Sequence, residues 1–439
     1  MHLTGTMRIN EQGHLEIGGC DTVDLAKEFG TPLYVYDVAL LRERARKFLK
    51  TFQKHQVKGQ VAYASKAFSC LAIIQLMEEE GLALDVVSGG ELYTALHAQF
   101  PVEKIHFHGN NKSRAELAMA IDWGVGSIVV DNFYELDLLD QLAKEKKKDV
   151  AILLRITPGV EAHTHDYILT GQEDSKFGFD LANGQAEEAL KIALRSERLT
   201  VRGIHCHIGS QIFDSEGFIL AIRKIYEHLS VWRETLAFEP EILNVGGGFG
   251  IRYTASDKPL EPEQYVEAIV AEVKKQVDHY QVKLPEIWIE PGRSLVGDAG
   301  TTLYTIGSSK IVPGIRKYVA VDGGMSDNIR PALYQAKYEA IIANKADAER
   351  EDIVSIAGKA CESGDMLIWD LPLAQSEPGD ILAVFCTGAY GYAMASNYNR
   401  LPRPAVVFVE NGEARLVIKR ETYDDLIRLD IPYYELAKK

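Results

Sequence analysis

Eight times between Val61 and Glu290 a short apolar run is followed by a polar or glycine-rich turn and then a helical pattern. The runs are Val61–Ser65, Ala83–Ser88, Lys104–Gly109, Ser127–Asp131, Ala151–Ile156, Val201–Ile208, Ile242–Gly248 and Glu286–Glu290. They are rich in Val and Ile and mostly lack strict alternation, as strands buried on both faces do. Between them, Cys70–Glu80 and Glu91–Phe100 carry apolar residues at helical spacing. Ser113–Trp123 opens on a Ser with Glu116 three residues later, a capping box. Strand alternating with helix predicts parallel pairing through right-handed crossovers. Eight such units over about 250 residues match the count and length of a (β/α)8 TIM-type barrel. A doubly wound open sheet is the alternative, and the lack of G-x-G-x-x-G after the first strand counts against it.

After about residue 295 the texture changes. Ile353–Ala357, Asp380–Phe385, Ala405–Glu410 and Ala414–Lys419 are short strand-like runs separated by Pro and Gly, and Asn411-Gly412 signals a hairpin. Helical periodicity stays weak until Thr422–Arg428. Leu33–Tyr36 is a further strand candidate, ahead of a long helix over Val38–Gln53. The expected division is a barrel over residues 36–297, and a β domain made of residues 1–35 together with 298–439.

Composition narrows the function classes. Of 439 residues, 46% are hydrophobic and 25% charged, which suits a globular chain with an ordinary core. Net charge is −15, so neither nucleic acid nor an anionic membrane is an expected partner, because phosphate attraction needs a basic face. No apolar run is long enough to span a bilayer and the start has no apolar signal segment, so a soluble, cytoplasmic protein is expected. The run Lys144–Lys148 reads as a solvated helix end. Cys20, Cys70, Cys206, Cys361 and Cys386 are far apart, with no C-x-x-C pair; all but Cys361 read as buried free thiols.

In a barrel, chemistry is built where the strands' carboxyl ends meet the βα loops. Those positions hold Lys66, Asp85 with Ser88, Arg155, His207 with Ser210, Gly246–Gly248, and Glu290-Pro-Gly-Arg293. Each has a plain reading: a solvated lysine, a core histidine, a tight glycine turn, a local Glu–Arg pair. Yet the apolar neighbours of Lys66 favour a desolvated, neutral amine, the form that attacks carbonyls. Glycines let backbone N–H groups approach a phosphate closely. A lysine, a phosphate cradle, a flat ring and a carboxylate together are what pyridoxal phosphate requires. His106-x-His108, His205-x-His207 and His163-x-His165-Asp166 could ligate a metal, but none comes with a carboxylate and third ligand at metal-site spacing, so no metal is expected.

Nine motifs in order carry a resemblance along almost the whole chain: YASKA (63–67), LDVVSGGEL (84–92), HIGSQ (207–211), GGGFG (246–250), EPGRS (290–294), DGGM (322–325), IRPALY (329–334), CESGD (361–365) and GAYGY (388–392). The chain resembles the pyridoxal-phosphate-dependent decarboxylases of the alanine-racemase-like fold type, the ornithine/diaminopimelate/arginine decarboxylase family. The resemblance implies fold type III, a (β/α)8 barrel with a C-terminal β domain, in a homodimer whose active sites lie at the interface. It implies that Lys66 carries the cofactor's aldehyde and His207 stacks on its ring. Asp85, Ser210, Gly247, Gly248, Gly292 and Arg293 would join the cofactor site, with Glu290 on the ring nitrogen. Tyr390 would reach both cofactor and substrate, while Arg293, Arg330 and Tyr334 would meet the substrate's far carboxylate. Cys361 and Glu362 would come from the partner subunit, Cys361 as proton donor to the α-carbon and Glu362 facing the far ammonium. The implied reaction is decarboxylation of meso-2,6-diaminopimelate to L-lysine and CO2, the last step of lysine biosynthesis.

Ornithine would leave Arg330 unpaired, which favours a substrate with a distal carboxylate. Ornithine or arginine decarboxylation and amino-acid racemisation are the alternative activities; a racemase needs a second base opposite the lysine, and CESGD argues against one. A non-catalytic relative would be expected to lack Lys66 or Cys361. The sequence departs from many relatives at Phe68, where Asn is common, a change expected to affect packing alone.

Overall fold

The computed structural model describes residues 2–160 and 175–434. The chain falls into two compact units, Leu41–Gly297 and, from both ends of the sequence, Met1–Leu40 with Asp298–Lys439.

The first unit is a closed parallel barrel. Its strands are β1 (Gly59–Ala64), β2 (Ala83–Val86), β3 (Ile105–Phe107), β4 (Ser127–Val130), β5 (Val150–Thr157), β6 (Leu199–His205), β7 (Ile242–Asn244) and β8 (Glu286–Ile289). Each pairs in parallel with the next, and β8 closes on β1 through Ile287 opposite Gly59. A two-residue strand, Phe179–Asp180, adds beside β5. Every residue of β2, β3, β4 and β7 is buried, which explains why their apolar runs do not alternate.

Helices cover the barrel in the expected order. The capping box forms at Ser113: its side chain accepts from the Glu116 N–H, and Glu116 reaches back to the Ser113 N–H. Leu71–Glu79 starts one residue after the expected Cys70, which is its N-cap. Gly89–His97 ends short of Pro101, with Ala98 as its C-cap. The strands also end earlier than the apolar runs suggested. Lys66 lies on a one-turn 3-10 segment, Ser65–Ala67, while His207 and the glycine triplet sit in loops just past β6 and β7.

In the second unit, strand Leu33–Asp37 pairs antiparallel with Gly300–Leu303 and parallel with Ala405–Val409, so the N-terminal segment does join the β-rich part. The thirteen-residue strand Gly300–Val312, absent from the expected elements, organises this unit. Its first half pairs with Leu33–Asp37 and with Ile381–Val384; Ile306 pairs with Val321, and after a register shift residues 309–312 pair with 316–319. Asn411 and Gly412 both have positive φ, 55° and 82°, and turn Ala405–Glu410 into Glu413–Ile418.

Candidate active site

The rim of the barrel gathers residues from every part of the first unit's motif set. Ser65, Ala67 and Phe68 are fully buried, and the Ser65 hydroxyl donates to the Asp85 carbonyl at 2.8 Å, which fixes the turn that carries Lys66. Lys66 itself is exposed, so the enclosure expected from its apolar neighbours does not occur at the amine. Its ammonium acts electrostatically on Asp85, His205 and His207, which places it over the same rim. Phe68 fits the core: its carbonyl accepts from the Tyr63 hydroxyl at 2.6 Å.

His207 accepts the Gly247 N–H on Nδ1 at 3.3 Å, so in its neutral form the proton sits on Nε2. Enclosure of the ring, then the nearby Lys66 and Arg155 cations, hold it well below its ordinary pKa and keep it neutral. A neutral flat ring is suited to stacking. Beside it, Ser210 Oγ accepts from Arg293 Nη2 at 3.1 Å, and Arg293 Nη1 donates to Tyr253 Oη at 2.5 Å. Tyr253, outside every motif, was missed; only the fold brings it to Arg293.

The glycines answer first to the chain's own geometry. A Cβ on Gly247 would lie 2.0 Å from the Glu290 carbonyl oxygen, and one on Gly248 (φ 99°) 2.2 Å from that of Gly209. The loops after β6, β7 and β8 therefore pass in backbone contact. Gly292 is tight too, with its Cβ position 3.0 Å from Ala64 Cβ.

Glu290 is the electrostatic centre. Its Oε1 accepts from Asn244 Nδ2 at 2.6 Å and lies 3.0 Å from His108 Nε2, while Oε2 lies 3.1 Å from His205 Nε2. Burial alone would raise its pKa, but His108 and His205 outweigh that and hold it well below the usual carboxylate range. Asp85 goes the other way: burial raises it, and its Oδ1 has no hydrogen-bond partner among the described residues.

Sequence spacing had given the histidine pairs no carboxylate. The fold supplies one, since His108, His205 and Glu290 bring ligand-type atoms within 4.8 Å of one another. His106 takes no part; it stacks on Trp288 at 4.2 Å, and burial pushes its pKa down to about 3. The pair within 163–166 lies outside the described residues, as does most of the loop over 163–176. Ser88 serves as a helix N-cap, accepting from the Glu91 N–H.

The second unit carries the remaining candidates. Arg330 is buried and already donates from Nη1 to Tyr338 Oη at 2.5 Å, so it would not stand wholly unpaired without a substrate carboxylate, as had been expected. Tyr334, Cys361 and Glu362 are exposed, and Tyr390 is half-buried with φ 58°, in the left-handed region. The Cys361 N–H donates to Asn399 Oδ1 at 2.6 Å. Cys20, Cys206 and Cys386 are buried as expected and Cys70 half-buried; burial pushes the Cys206 thiol up to about 12.

The barrel rim fits pyridoxal phosphate by its donor chemistry: an amine, a neutral imidazole, a hydroxyl beside a guanidinium, and an anionic carboxylate. The unpartnered buried Asp85 oxygen adds a polar group that calls for a ligand. Lys66, His207, Ser210, Arg293 and Glu290 would hold the group. Among the described residues, no helix is long and apolar enough to cross a membrane.

Known proteins agree with this chemistry. The family model for the pyridoxal binding domain of pyridoxal-dependent decarboxylases matches residues 38–297. A diaminopimelate decarboxylase from Bacillus methanolicus is 71% identical over 96% of this chain and 98% of its own. Another from Bacillus subtilis is 66% identical over 99% of both chains. Among solved structures, diaminopimelate decarboxylase from M. jannaschii in co-complex with L-lysine aligns with a TM-score of 0.91 at 39% identity, covering 97% of this chain and 98% of that one. The chain belongs to the diaminopimelate decarboxylases, within the pyridoxal-dependent decarboxylases of fold type III.

Proposed function

We infer that the protein decarboxylates meso-2,6-diaminopimelate at its D centre, releasing CO2 and L-lysine in the last step of lysine biosynthesis. The observation that carries this reading is the set on one barrel rim: the Lys66 amine, the neutral His207 and the anionic Glu290. High identity to named diaminopimelate decarboxylases over the full chain supports the choice of substrate.

When bound, pyridoxal phosphate supplies an electron sink for the pair left as CO2 departs. Lys66 would hold the cofactor by its aldehyde, Glu290, as an anion, would hold a proton at the ring nitrogen, and His207 would lie against the ring. Asp85, Ser210, Gly247, Gly248, Gly292 and Arg293 complete the cofactor site. Tyr390 reaches cofactor and substrate, Arg293, Arg330 and Tyr334 take the distal carboxylate, and Glu362 takes the distal ammonium. Cys361 returns a proton to the α-carbon. Residues 41–297 form the cofactor-bearing barrel domain, and residues 1–40 with 298–439 the β domain that carries Cys361 and Glu362. The working assembly is a cytoplasmic homodimer in which Cys361 and Glu362 of the partner subunit complete each site.

Incubation with meso-diaminopimelate and pyridoxal phosphate should yield lysine and CO2 in equal amounts. Borohydride reduction of the enzyme beforehand should leave a pyridoxyl group on the Lys66 peptide. Racemisation without CO2, or an adduct on another peptide, contradicts the assignment.

A further inference from the structure

Three side chains from three strands converge on Glu290. His205 ends β6, Asn244 ends β7 directly opposite it in the register, and His108 follows β3 by one residue. All four are buried, His205 to 1% exposure and His108 to 4%. Asn244 and the His108 backbone are fixed in turn. Asn244 Oδ1 accepts the Gly246 N–H at 2.9 Å, which sets its amide so that Nδ2 faces Glu290. The His108 N–H donates to the Val86 carbonyl at 2.8 Å, and His108 Nε2 also lies 3.6 Å from Asp85 Oδ1.

An ionised carboxylate in such a place costs several kcal/mol unless donors meet it. A carboxylate offers about four acceptor positions. Asn244 hydrogen-bonds Oε1 and His205 hydrogen-bonds Oε2, while His108 Nε2 stands 3.0 Å from Oε1 as an electrostatic neighbour outside hydrogen-bond geometry. One donor fixed on each oxygen sets the plane of the carboxylate and hence where its open acceptor positions point.

We propose that His205 is a positioning residue that, with Asn244 on the other oxygen, aims an open acceptor position of Glu290 at the ring nitrogen of pyridoxal phosphate. This rests on the reading of Glu290 as partner of that nitrogen. The imidazole acts through Glu290, as partners one shell out orient the groups that hold a cofactor or metal. His106, on the same strand as the approach to His108, is stacked on Trp288 and has no such part.

The test is cofactor binding, not turnover. Protein freed of cofactor with hydroxylamine is titrated with pyridoxal phosphate and followed by absorbance. The set is wild type, His205→Leu, His205→Gln, Glu290→Gln and the double variant His205→Leu/Glu290→Gln, with circular dichroism to score folding. His205→Leu should weaken binding about tenfold. His205→Gln, which keeps an N–H near the Nε2 position, should restore most of it. The double variant should bind no worse than Glu290→Gln alone. With 1-deazapyridoxal phosphate, whose ring carries C–H in place of the nitrogen, wild type and His205→Leu should bind alike. Should His205→Leu not fold, His205→Phe, nearer to the ring in shape, enters the same comparisons. An equal loss in the Glu290→Gln background, or with the deaza analogue, overturns the positioning role. Wild-type affinity in Glu290→Gln itself overturns the Glu290 reading beneath it.

Discussion

Asp327 shows how a single buried carboxyl couples this fold to pH. It is 2% exposed, its Oδ2 accepts the Gly324 N–H at 2.9 Å, and its carbonyl accepts from the Tyr34 hydroxyl. Burial first, then Asp322 and Asp365, raise its pKa from 3.8 to about 7. In the window between those values the folded chain keeps a proton that the unfolded chain has released. Stability from this group is therefore full in acid and declines as pH rises toward 7. Asp327→Asn removes the titration while keeping an acceptor for Gly324. Its melting temperature should gain on wild type between pH 5 and pH 8, by about 2–4 °C for each kcal/mol recovered. A Tm difference that is the same at both pH values contradicts this account. No motif spacing could have revealed the effect, because burial, its main cause, and Asp365 come from the fold, although Asp322 is only five residues away. The same holds for His108, His205 and Asn244 around Glu290. Lys66, His207, Ser210, Glu290 and Arg293 were legible because their motifs are contiguous; the pairing of Glu290 with His205 and Asn244, and of Arg293 with Tyr253, was not, because segments distant in sequence supply those partners.

At the scale of elements, the loop that carries Cys361 is clasped by the Asp365 side chain, besides the Asn399 contact at Cys361 itself. Asp365 Oδ1 accepts the Met325 N–H at 2.6 Å and Oδ2 the Ala360 N–H at 2.8 Å. The Asp365 carbonyl accepts from Gly358, and its own N–H donates to the Glu362 carbonyl. Gly324 and Gly358 must be glycine here, since a Cβ on either would lie 2.4 Å or less from Asp365 Oδ1. The CESGD and DGGM motifs are thus two sides of one clasp. Asp365→Ala leaves two N–H groups without an acceptor, at about 1–3 kcal/mol each. It should lower kcat about tenfold or more, in the range expected for a misplaced proton donor, while cofactor absorbance is unchanged. Unchanged kcat would mean that the clasp does not place Cys361. Strand Gly300–Val312 is the converse case, an element that escaped notice. Its sequence, GTTLYTIGSSKIV, mixes small and polar residues, and most of its second half is exposed, so neither a buried run nor a clean alternation marks it. The barrel strands announced themselves because helices bury their outer faces and the packed barrel interior their inner ones.

Across the whole molecule, the proposed machinery is divided between the two units. Lys66, Asp85, His207, Ser210, Glu290 and Arg293 belong to Leu41–Gly297, whereas Arg330, Tyr334, Cys361, Glu362 and Tyr390 belong to the unit built from both chain ends. A chain arranged this way has two routes to a complete site, within one subunit or between two. The proposed homodimer takes the second route, and mixing variants discriminates. Lys66→Ala lacks the amine and Cys361→Ala lacks the proton donor, so each alone should be nearly inactive. Unfolded together and refolded at equal amounts, half of the dimers are mixed by chance. In a mixed dimer with shared sites, both lesions fall in one site and the other is intact, so the mixture should regain about a quarter of wild-type activity. If Cys361 serves the Lys66 of its own chain, every site in the mixture carries a lesion and no activity returns. Activity recovered on mixing, and lost again when the chains are separated by dilution, would identify the dimer as the catalytic unit.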